Sequence, residues 1–152
     1  MCIRRIEEQG EKAKIVKEIL LDLPEWFGIE QSTNAYIQHC KELPVWAYFK
    51  NQVPIGCIVV KQTGNATLEI YVMGVKKQYH RLQIGKKLFH TIEDYAVKNN
   101  YKFIQVKTVK QGCYKEYDQT NRFYQSIGFY EFECIKTLWD EHNPCQIYVK
   151  HI

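Results

Sequence analysis

A chain of 152 residues with 45% apolar and 25% charged residues fits one compact domain that is large enough to bury a hydrophobic core. The formal charge of +4 comes without dense basic runs, and no apolar stretch is long enough to span a bilayer. Both observations disfavour a nucleic-acid partner and a membrane partner. The sequence has six cysteines without a Cys-x-x-Cys pair, and its N-terminal residues show no secretory h-region. It therefore predicts a cytoplasmic protein with reduced thiols and no metal site.

The charge is unevenly distributed along the chain. Residues 1–42 hold 6 Lys or Arg against 8 Asp or Glu, a net of −2, whereas residues 43–152 hold 15 against 9, a net of +6. An acidic segment beside a basic remainder suits a cationic substrate that enters opposite an anionic cofactor. Solvated helix faces explain the same pattern equally well.

The first third of the chain predicts two helices. Apolar residues recur at helical spacing over residues 11–23, and Pro24 ends that helix. A second, short helix is expected from a cap at Ser32 or Thr33 through about Lys41.

Three strands follow the helices. Strand patterns cover Val45–Phe49 and Ile55–Val60, with a turn at residues 50–54 between them. A second turn signal at residues 63–65 leads into a strand that carries Glu69. These pieces predict an antiparallel meander.

Helices and strands alternate in the second half. The helix after Gly85 ends at Asn99–Asn100, and the strand Phe103–Val109 should run parallel to the strand before it because a helix intervenes. Asp118 or Thr120 can cap a further helix that runs through residue 127.

The chain ends in a predicted strand pair. Gly128 suits the left-handed end of the preceding helix, and strands are expected at residues 129–135 and 146–149, with a polar connection at 140–144. The predicted order is ααβββαβαββ. This describes one α/β domain over residues 1–152, with a mixed, mostly antiparallel sheet flanked by helices.

The stretch at residues 68–88, LEIYVMGVKKQYHRLQIGKKL, predicts a binding site for a phosphorylated cofactor. No Asp or Glu occurs from Ile70 to Ile92, while five cations do. These cations are Lys76, Lys77, Arg81, Lys86 and Lys87. A strand that leads into a cationic, Gly-containing loop at a helix start presents backbone N–H groups and the positive end of a helix dipole to an anion.

Two segments together resemble the GNAT superfamily of N-acetyltransferases. His80–Gly85 reads HRLQIG and resembles the family's acyl-CoA motif, Gln/Arg-x-x-Gly-x-Gly/Ala. His80 replaces the usual Gln or Arg, Gln83 replaces the first Gly, and Gly85 matches the second. The later segment, Asn121–Phe129, matches the family's Phe-Tyr-x-x-x-Gly-Phe ending without a departure.

The resemblance implies acetyl-CoA as the co-substrate and covers nearly the whole chain. It assigns the pyrophosphate to backbone N–H groups of Arg81, Gln83, Gly85 and Lys86, and the pantetheine arm to backbone pairing with Met73 and Val75. His80 either reaches a phosphate or caps the loop. A Gln at position 83 is tolerable if its φ is negative, since only its N–H need face the ligand.

Glu69 is the candidate general base. On a strand it shares one face with Tyr71, Met73 and Val75. It also lies eleven residues before His80, where the resemblance implies a general-base Glu. An amine with a pKa of ~10.4 is almost entirely protonated at neutral pH, so some group must accept its proton. A solvent-exposed strand carboxylate or a partner for a nearby Lys is the alternative.

Tyr124 is the candidate general acid, because the resemblance places it at the Tyr that protonates the departing thiolate. The alternative is a core Tyr with its hydroxyl bonded to backbone. Asn121 lies one turn earlier on the same helix face. Its amide is expected to bind the pantetheine arm or to orient the Tyr, with helix capping as the alternative.

These assignments predict an acetyl-CoA-dependent N-acetyltransferase in which a primary amine of a small molecule or peptide attacks directly in a ternary complex. The competing interpretation is a CoA-binding sensor or interaction module without turnover, favoured by the altered positions His80 and Gln83. The sequence leaves the acceptor, the acyl-chain length and a homodimer open.

Overall fold

The computed structural model describes all residues from Met1 to Ile152 and contains seven strands and four α-helices. In chain order they are β1 (Cys2–Ile6), α1 (Gln9–Leu21), α2 (Glu30–His39), β2 (Val45–Lys50), β3 (Val53–Gln62), β4 (Thr67–Val75), α3 (Ile84–Lys98), β5 (Phe103–Val109), α4 (Lys115–Ser126), β6 (Tyr130–Asp140) and β7 (Asn143–His151). The strands form one mixed sheet in the order β1-β2-β3-β4-β5-β7-β6. This confirms the predicted α/β class and the parallel pairing of β4 with β5.

The strand β1 is absent from the predicted order. Its sequence, CIRRI, places Arg4 and Arg5 in the middle of the strand, and only Ile6 is buried. The strand pairs antiparallel with β2, where Ile6 lies opposite Val45. Charged side chains are typical of edge strands, which lack the alternating apolar pattern by which a strand is recognised.

The chain divides into two compact units. The first comprises Met1–Lys61 with Tyr71–Tyr95, and the second comprises Gln62–Ile70 with Ala96–Ile152.

In the first unit, one face of α1 packs in the core with residues of β1 to β4. Ile15, Val16, Ile19 and Leu20 are buried on that face. Each such side chain contributes about 1.5–3 kcal/mol relative to remaining exposed. The β2–β3 turn has positive φ at Asn51 (50°) and Gln52 (68°). Two residues of positive φ match the twist of a two-residue hairpin.

In the second unit, β5 lies beside both the first half of β4 and β7. Glu69 is in register with Gln105 of β5, and Val106 is in register with Tyr148 of β7. Tyr148 is among the largest fully buried side chains of the chain. Gly128 has a φ of 102° after α4, which confirms the predicted left-handed helix end.

Two predicted helix caps are wrong. The helix α2 begins at Glu30, and the Thr33 hydroxyl donates to the Phe27 carbonyl instead of capping the helix. The helix α4 begins at Lys115, and the Asp118 carboxylate accepts from the Gly112 N–H at 2.7 Å. In both cases a side chain that could cap a helix is used to hold the preceding loop, which leaves the helix free to start earlier.

The strands of the final pair are longer than predicted. β6 runs to Asp140 and β7 starts at Asn143, so only two residues connect them. Among the helices, none is both long enough and apolar enough to cross a membrane.

Candidate active site

The loop between β4 and α3 has the backbone of an anion site. Arg81 and Gln83 both have positive φ, 64° and 66°, immediately before α3 begins at Ile84. Alternation of left-handed and right-handed residues turns successive N–H groups toward one concave side. The first turn of the 15-residue helix α3 contains no acidic residue, so its positive dipole end is not offset there.

The condition of a negative φ at Gln83 is not met. Gln83 takes the left-handed conformation that a Gly would adopt freely, at a cost of roughly 1–2 kcal/mol for an L-residue. Its side chain is exposed. The turn into α3 places a left-handed residue at this position, and the departure from the family motif puts a Gln there instead of a Gly.

His80 stabilises the loop from within. Its Nε2 lies 2.6 Å from the Val75 carbonyl oxygen, and its ring makes an edge contact with Trp26 at a centroid distance of 5.8 Å. The sequence left two roles open for His80, a contact with phosphate and a cap of the loop. This hydrogen bond is the contact expected of a cap. It ties the end of β4 to the residue that precedes the left-handed turn.

Two of the predicted loop cations are neutralised by the acidic N-terminal segment. Lys76 Nζ lies 2.6 Å from Glu18, and Lys77 Nζ lies 2.9 Å from Glu25. The Lys77 backbone N–H also donates to Asp22 at 2.8 Å. These carboxylates fasten the start of the loop to the end of α1, so the charge asymmetry of the sequence has a structural use.

The cations that follow the turn lie at the surface. Arg81, Lys86 and Lys87 are all exposed, and the Lys87 ammonium lies 6.0 Å from the Tyr48 ring centroid. Exposed guanidinium and ammonium groups beside a ring of backbone N–H donors suit a phosphate. Gly85 lies in the first turn of α3.

The end of β4 presents Met73 and Val75 away from α1. A Cβ added to Gly74 would lie 2.8 Å from Leu23 Cδ1 and 3.1 Å from Ile19 Cγ2, so α1 packs directly on the Gly74 side of the strand. Because side chains alternate along a strand, Met73 and Val75 point to the opposite face. Both are half-buried.

Glu69 is buried and paired. It is 6% exposed, and its Oε1 lies 2.6 Å from Lys107 Nζ. The exposed carboxylate among the sequence alternatives does not occur, whereas the Lys partner does. Lys107 follows Gln105, the register partner of Glu69, by two residues on β5, so the two side chains meet on one face of the parallel pair.

An uncharged thiol lies beside this ion pair. Burial raises the pKa of the Cys145 thiol to about 11, with the Lys107 charge opposing the shift and the Glu69 charge adding to it. Cys145 therefore stays protonated at neutral pH and contributes packing rather than charge. The Lys107 ammonium is the positive group that compensates the Glu69 carboxylate.

Asn121 is fully buried and its amide is fully used. Its Nδ2 donates to the Val109 carbonyl at 2.9 Å and to the Tyr117 carbonyl at 2.7 Å, while its Oδ1 accepts from the Tyr148 hydroxyl at 2.7 Å. Gln125 donates to the same hydroxyl at 3.1 Å. Both amide N–H groups are thereby directed to protein carbonyls, so this geometry supports an orienting role rather than a contact with pantetheine.

Tyr124 lies next to this network. It is 5% exposed, and its ring contacts Phe123, Phe129 and Tyr148 at centroid distances of 5.4, 5.6 and 6.2 Å. Aromatic contacts on several sides fix the direction of the Cα–Cβ bond and the ring. The position of the Tyr124 phenol is therefore set by its packing against these rings.

No group of three or more His, Cys, Asp or Glu side chains lies close enough together to hold a metal ion. Three sets of groups could take part in binding or proton transfer. They are the loop N–H groups with Arg81 and Lys86, the Glu69–Lys107 pair, and Tyr124 with the buried residues beside it. The first can hold an anion, and the others can accept and donate protons.

A mixed sheet with β4 parallel to β5, and a turn with left-handed Arg81 and Gln83 before α3, define an α/β protein. The sequence model of the acetyltransferase (GNAT) family matches residues 13–129, so the chain belongs to this family. No curated protein sequence matches the chain significantly.

Solved structures share the fold. A protein of the GNAT acetyltransferase family from Desulfovibrio desulfuricans superposes with a TM-score of 0.86 at 14% identity, over 99% of this chain and 98% of that one. An aminoglycoside 6′-N-acetyltransferase complexed with coenzyme A gives a TM-score of 0.79 at 16% identity, over 99% and 97%. A GNAT-family acetyltransferase from Elizabethkingia anophelis with acetyl-CoA bound gives 0.69 at 17% identity, over 86% and 88%.

The sequence analysis predicted no role for two residues that the structure places beside the candidate groups, Lys107 and Tyr148. Lys107 could have been found from strand alternation once β4 and β5 were placed in parallel register. Tyr148 carries no such signal, because its contact with Asn121 joins residues 27 positions apart.

Proposed function

We propose that this protein transfers the acetyl group of acetyl-CoA to a primary amine by direct attack in a ternary complex. The observation that carries the proposal is the loop before α3, with left-handed Arg81 and Gln83 and exposed cations beside a helix start. Backbone N–H groups of Arg81, Gln83, Gly85 and Lys86 bind the pyrophosphate, and the side chains of Arg81 and Lys86 add charge.

The remainder of the cofactor follows β4 backwards from the loop. The pantetheine arm pairs with the backbone at Val75 and then Met73, as an added strand would. His80 supports this segment by holding the Val75 carbonyl oxygen at 2.6 Å. The thioester therefore lies toward the start of β4, which is the end of the strand that carries Glu69.

Glu69 accepts a proton from the attacking nitrogen, and Tyr124 donates one to the departing thiolate. The 2.6 Å ion pair with Lys107 compensates the buried Glu69 carboxylate and orients it. Tyr124 suits the acid role because a phenol with an ordinary pKa of ~10 is protonated at neutral pH. Asn121 and Tyr148 orient the helix that carries Tyr124.

Calorimetric titration with acetyl-CoA and with CoA tests the binding half of the proposal. We expect micromolar dissociation constants for the wild type and no binding by Gly85→Glu, because a carboxylate there repels phosphate. Gly64→Glu is the matched control, since Gly64 lies in an open turn where a Cβ would have no atom within 4 Å, and it should bind normally.

Turnover with a panel of amines tests the catalytic half. We expect Glu69→Gln to lower kcat by about 10²-fold or more while acetyl-CoA binding is retained, as for loss of a general base. Binding without turnover by the wild type, across the panel, would instead support the CoA-binding module. Absence of binding would remove the basis of both functions.

A further inference from the structure

Three side chains from two elements, α2 and β3, meet at Tyr71 of β4. The Tyr71 hydroxyl oxygen lies 2.8 Å from Nδ1 of His39, the last residue of α2. The Lys61 ammonium of β3 lies 5.7 Å from the Tyr71 ring centroid. The Tyr36 ring of α2 makes an edge contact with the Tyr71 ring at a centroid distance of 5.1 Å. None of these residues belongs to the motifs that define the family resemblance.

The Tyr71–His39 pair connects a half-buried position on β4 to solvent. Tyr71 is half-buried, while His39 and Lys61 are exposed. Tyr71 packs against the core cluster to which α1 and α2 contribute. It precedes Met73 by two residues on β4, a Cα separation of roughly 6.6 Å on an extended strand. If pantetheine pairs at Val75 and Met73, Tyr71 is the next side chain beyond the thioester end.

The proposed reaction leaves one proton without an assigned acceptor. An alkylammonium substrate carries three protons on nitrogen, and the amide product carries one, so two must leave. Glu69 accepts one of them. The other must reach solvent before the nitrogen lone pair is free to attack, because only about one amine in 2,500 is neutral at pH 7 for a pKa of ~10.4.

We propose that Tyr71 and His39 form a proton relay that deprotonates the substrate ammonium before attack. This inference rests on the proposed function. The ammonium gives a proton to the Tyr71 phenol oxygen while the phenol proton passes to His39 Nδ1, and the imidazolium then releases a proton to water.

The transfer step then balances. The neutral nitrogen forms the C–N bond, and the C–S bond breaks with its electron pair on sulfur, which takes the Tyr124 proton. The second nitrogen proton passes to Glu69, and exchange with solvent restores Tyr124. One proton in total is released per turnover of a protonated amine.

The charges around the pair favour this direction of transfer. The Lys61 ammonium over the ring stabilises negative charge that develops on the phenol. Tyr36 is a further titratable group that contacts Tyr71, and it contributes a ring edge. With the imidazole proton on Nε2, Nδ1 accepts from the phenol at the observed 2.8 Å.

The test is the pH dependence of kcat/KM for Tyr71→Phe and His39→Gln with an alkylamine acceptor. We expect a loss of about 10²-fold at pH 7 in each variant, typical of a lost proton acceptor. The loss should shrink at least tenfold toward pH ~9.5, where about one amine in ten is neutral and needs no relay. His39→Gln lies on the surface and keeps the proposal testable if Tyr71→Phe unfolds.

His90→Gln provides the matched control. His90 is an exposed histidine of α3 that is paired with Glu93 at 2.8 Å, and its removal should leave the wild-type pH profile unchanged. A pair that only fastens α2 to β4 would lower stability without a pH-dependent change in kcat/KM, which overturns the relay.

The two proposals fail in different ways. Wild-type turnover with unchanged profiles in Tyr71→Phe and His39→Gln refutes the relay and leaves the proposed function intact. A wild type that binds acetyl-CoA but acetylates no amine refutes the proposed function, and the relay with it.

Discussion

The loop before α3 and the helix α4 prepare their proposed chemistry in opposite ways. At the loop, the functional groups are backbone N–H donors, and the side chains of Arg81 and Gln83 are exposed. At α4, the functional group is the Tyr124 side chain, and its neighbours Asn121 and Tyr148 are fully buried with their polar atoms paired. A backbone site tolerates a changed side chain if φ is kept, whereas a side-chain site does not.

The departures from the family motif follow this division. His80 and Gln83 differ from the motif and lie in the loop for which binding by backbone groups is proposed, and Gln83 adopts the left-handed conformation. The Phe-Tyr-x-x-x-Gly-Phe ending has no departure and carries Tyr124, the phenol proposed as the acid. Substitutions in the two regions should therefore have different consequences.

Tyr124→Phe should have the largest effect. Removal of the phenol proton should lower kcat by about 10²-fold or more, as for loss of a general acid, while acetyl-CoA affinity measured by calorimetry stays unchanged. Tyr130→Phe is a suitable control, because Tyr130 is 77% exposed. Unchanged kcat in Tyr124→Phe would show that the thiolate leaves without this acid.

Asn121→Ala should have the next largest effect. It leaves the Val109 carbonyl without its amide donor and the Tyr148 hydroxyl without its acceptor, in a site that is fully buried. We expect a loss of roughly 2–3 kcal/mol in the free energy of unfolding, measured by urea denaturation. Asn65→Ala, in an exposed turn, should cost far less. Equal costs would mean that the buried network does not stabilise α4.

Gln83→Gly should have a smaller and opposite effect. Relief of the left-handed strain, less the added backbone entropy of Gly, should raise the free energy of unfolding by about 0.5–1 kcal/mol. Acetyl-CoA affinity should not change, because the N–H direction is retained. Gln52→Gly, at φ 68° in the β2–β3 turn, should give a similar gain in stability. Weaker cofactor binding by Gln83→Gly alone would assign the binding to its side chain.

Lys77→Met should have the smallest effect, visible as a change in pH dependence. The hydrogen bond from Lys77 is the main cause that lowers the pKa of Glu25 below 4.5. A lowered pKa in the folded state contributes stability above the unfolded value, and this contribution is lost as the pH falls through the folded value. The wild type should therefore exceed Lys77→Met in stability at pH 6, and the difference should vanish in acid.

Thermal unfolding from pH 6 down to pH 3 measures this difference. Lys17→Met removes an exposed cation from α1 and should not reproduce the trend. A gap between wild type and Lys77→Met that persists in acid would mean that Lys77 stabilises the loop through packing rather than through its charge.

The element boundaries that follow from local sequence were mostly predictable. The α1 periodicity, the strand Phe103–Val109 and the left-handed Gly128 are fixed by apolar spacing and by backbone sterics, and all three are confirmed. The edge strand β1 and the true starts of α2 and α4 were not predicted. There, charged residues and loop-bonding side chains replace the local signals.

The sequence by itself determined the family, the cationic loop and the residues at the motif positions, because these depend on residue type and spacing along the chain. Only the tertiary structure decided the pairing of Glu69 with Lys107, the use of the Asn121 amide, the φ of Gln83 and the contact of Tyr71 with His39. Three of these depend on which distant side chains are brought within hydrogen-bonding distance. The fourth depends on the path that the chain must take between β4 and α3, which the type of residue at that position does not reveal.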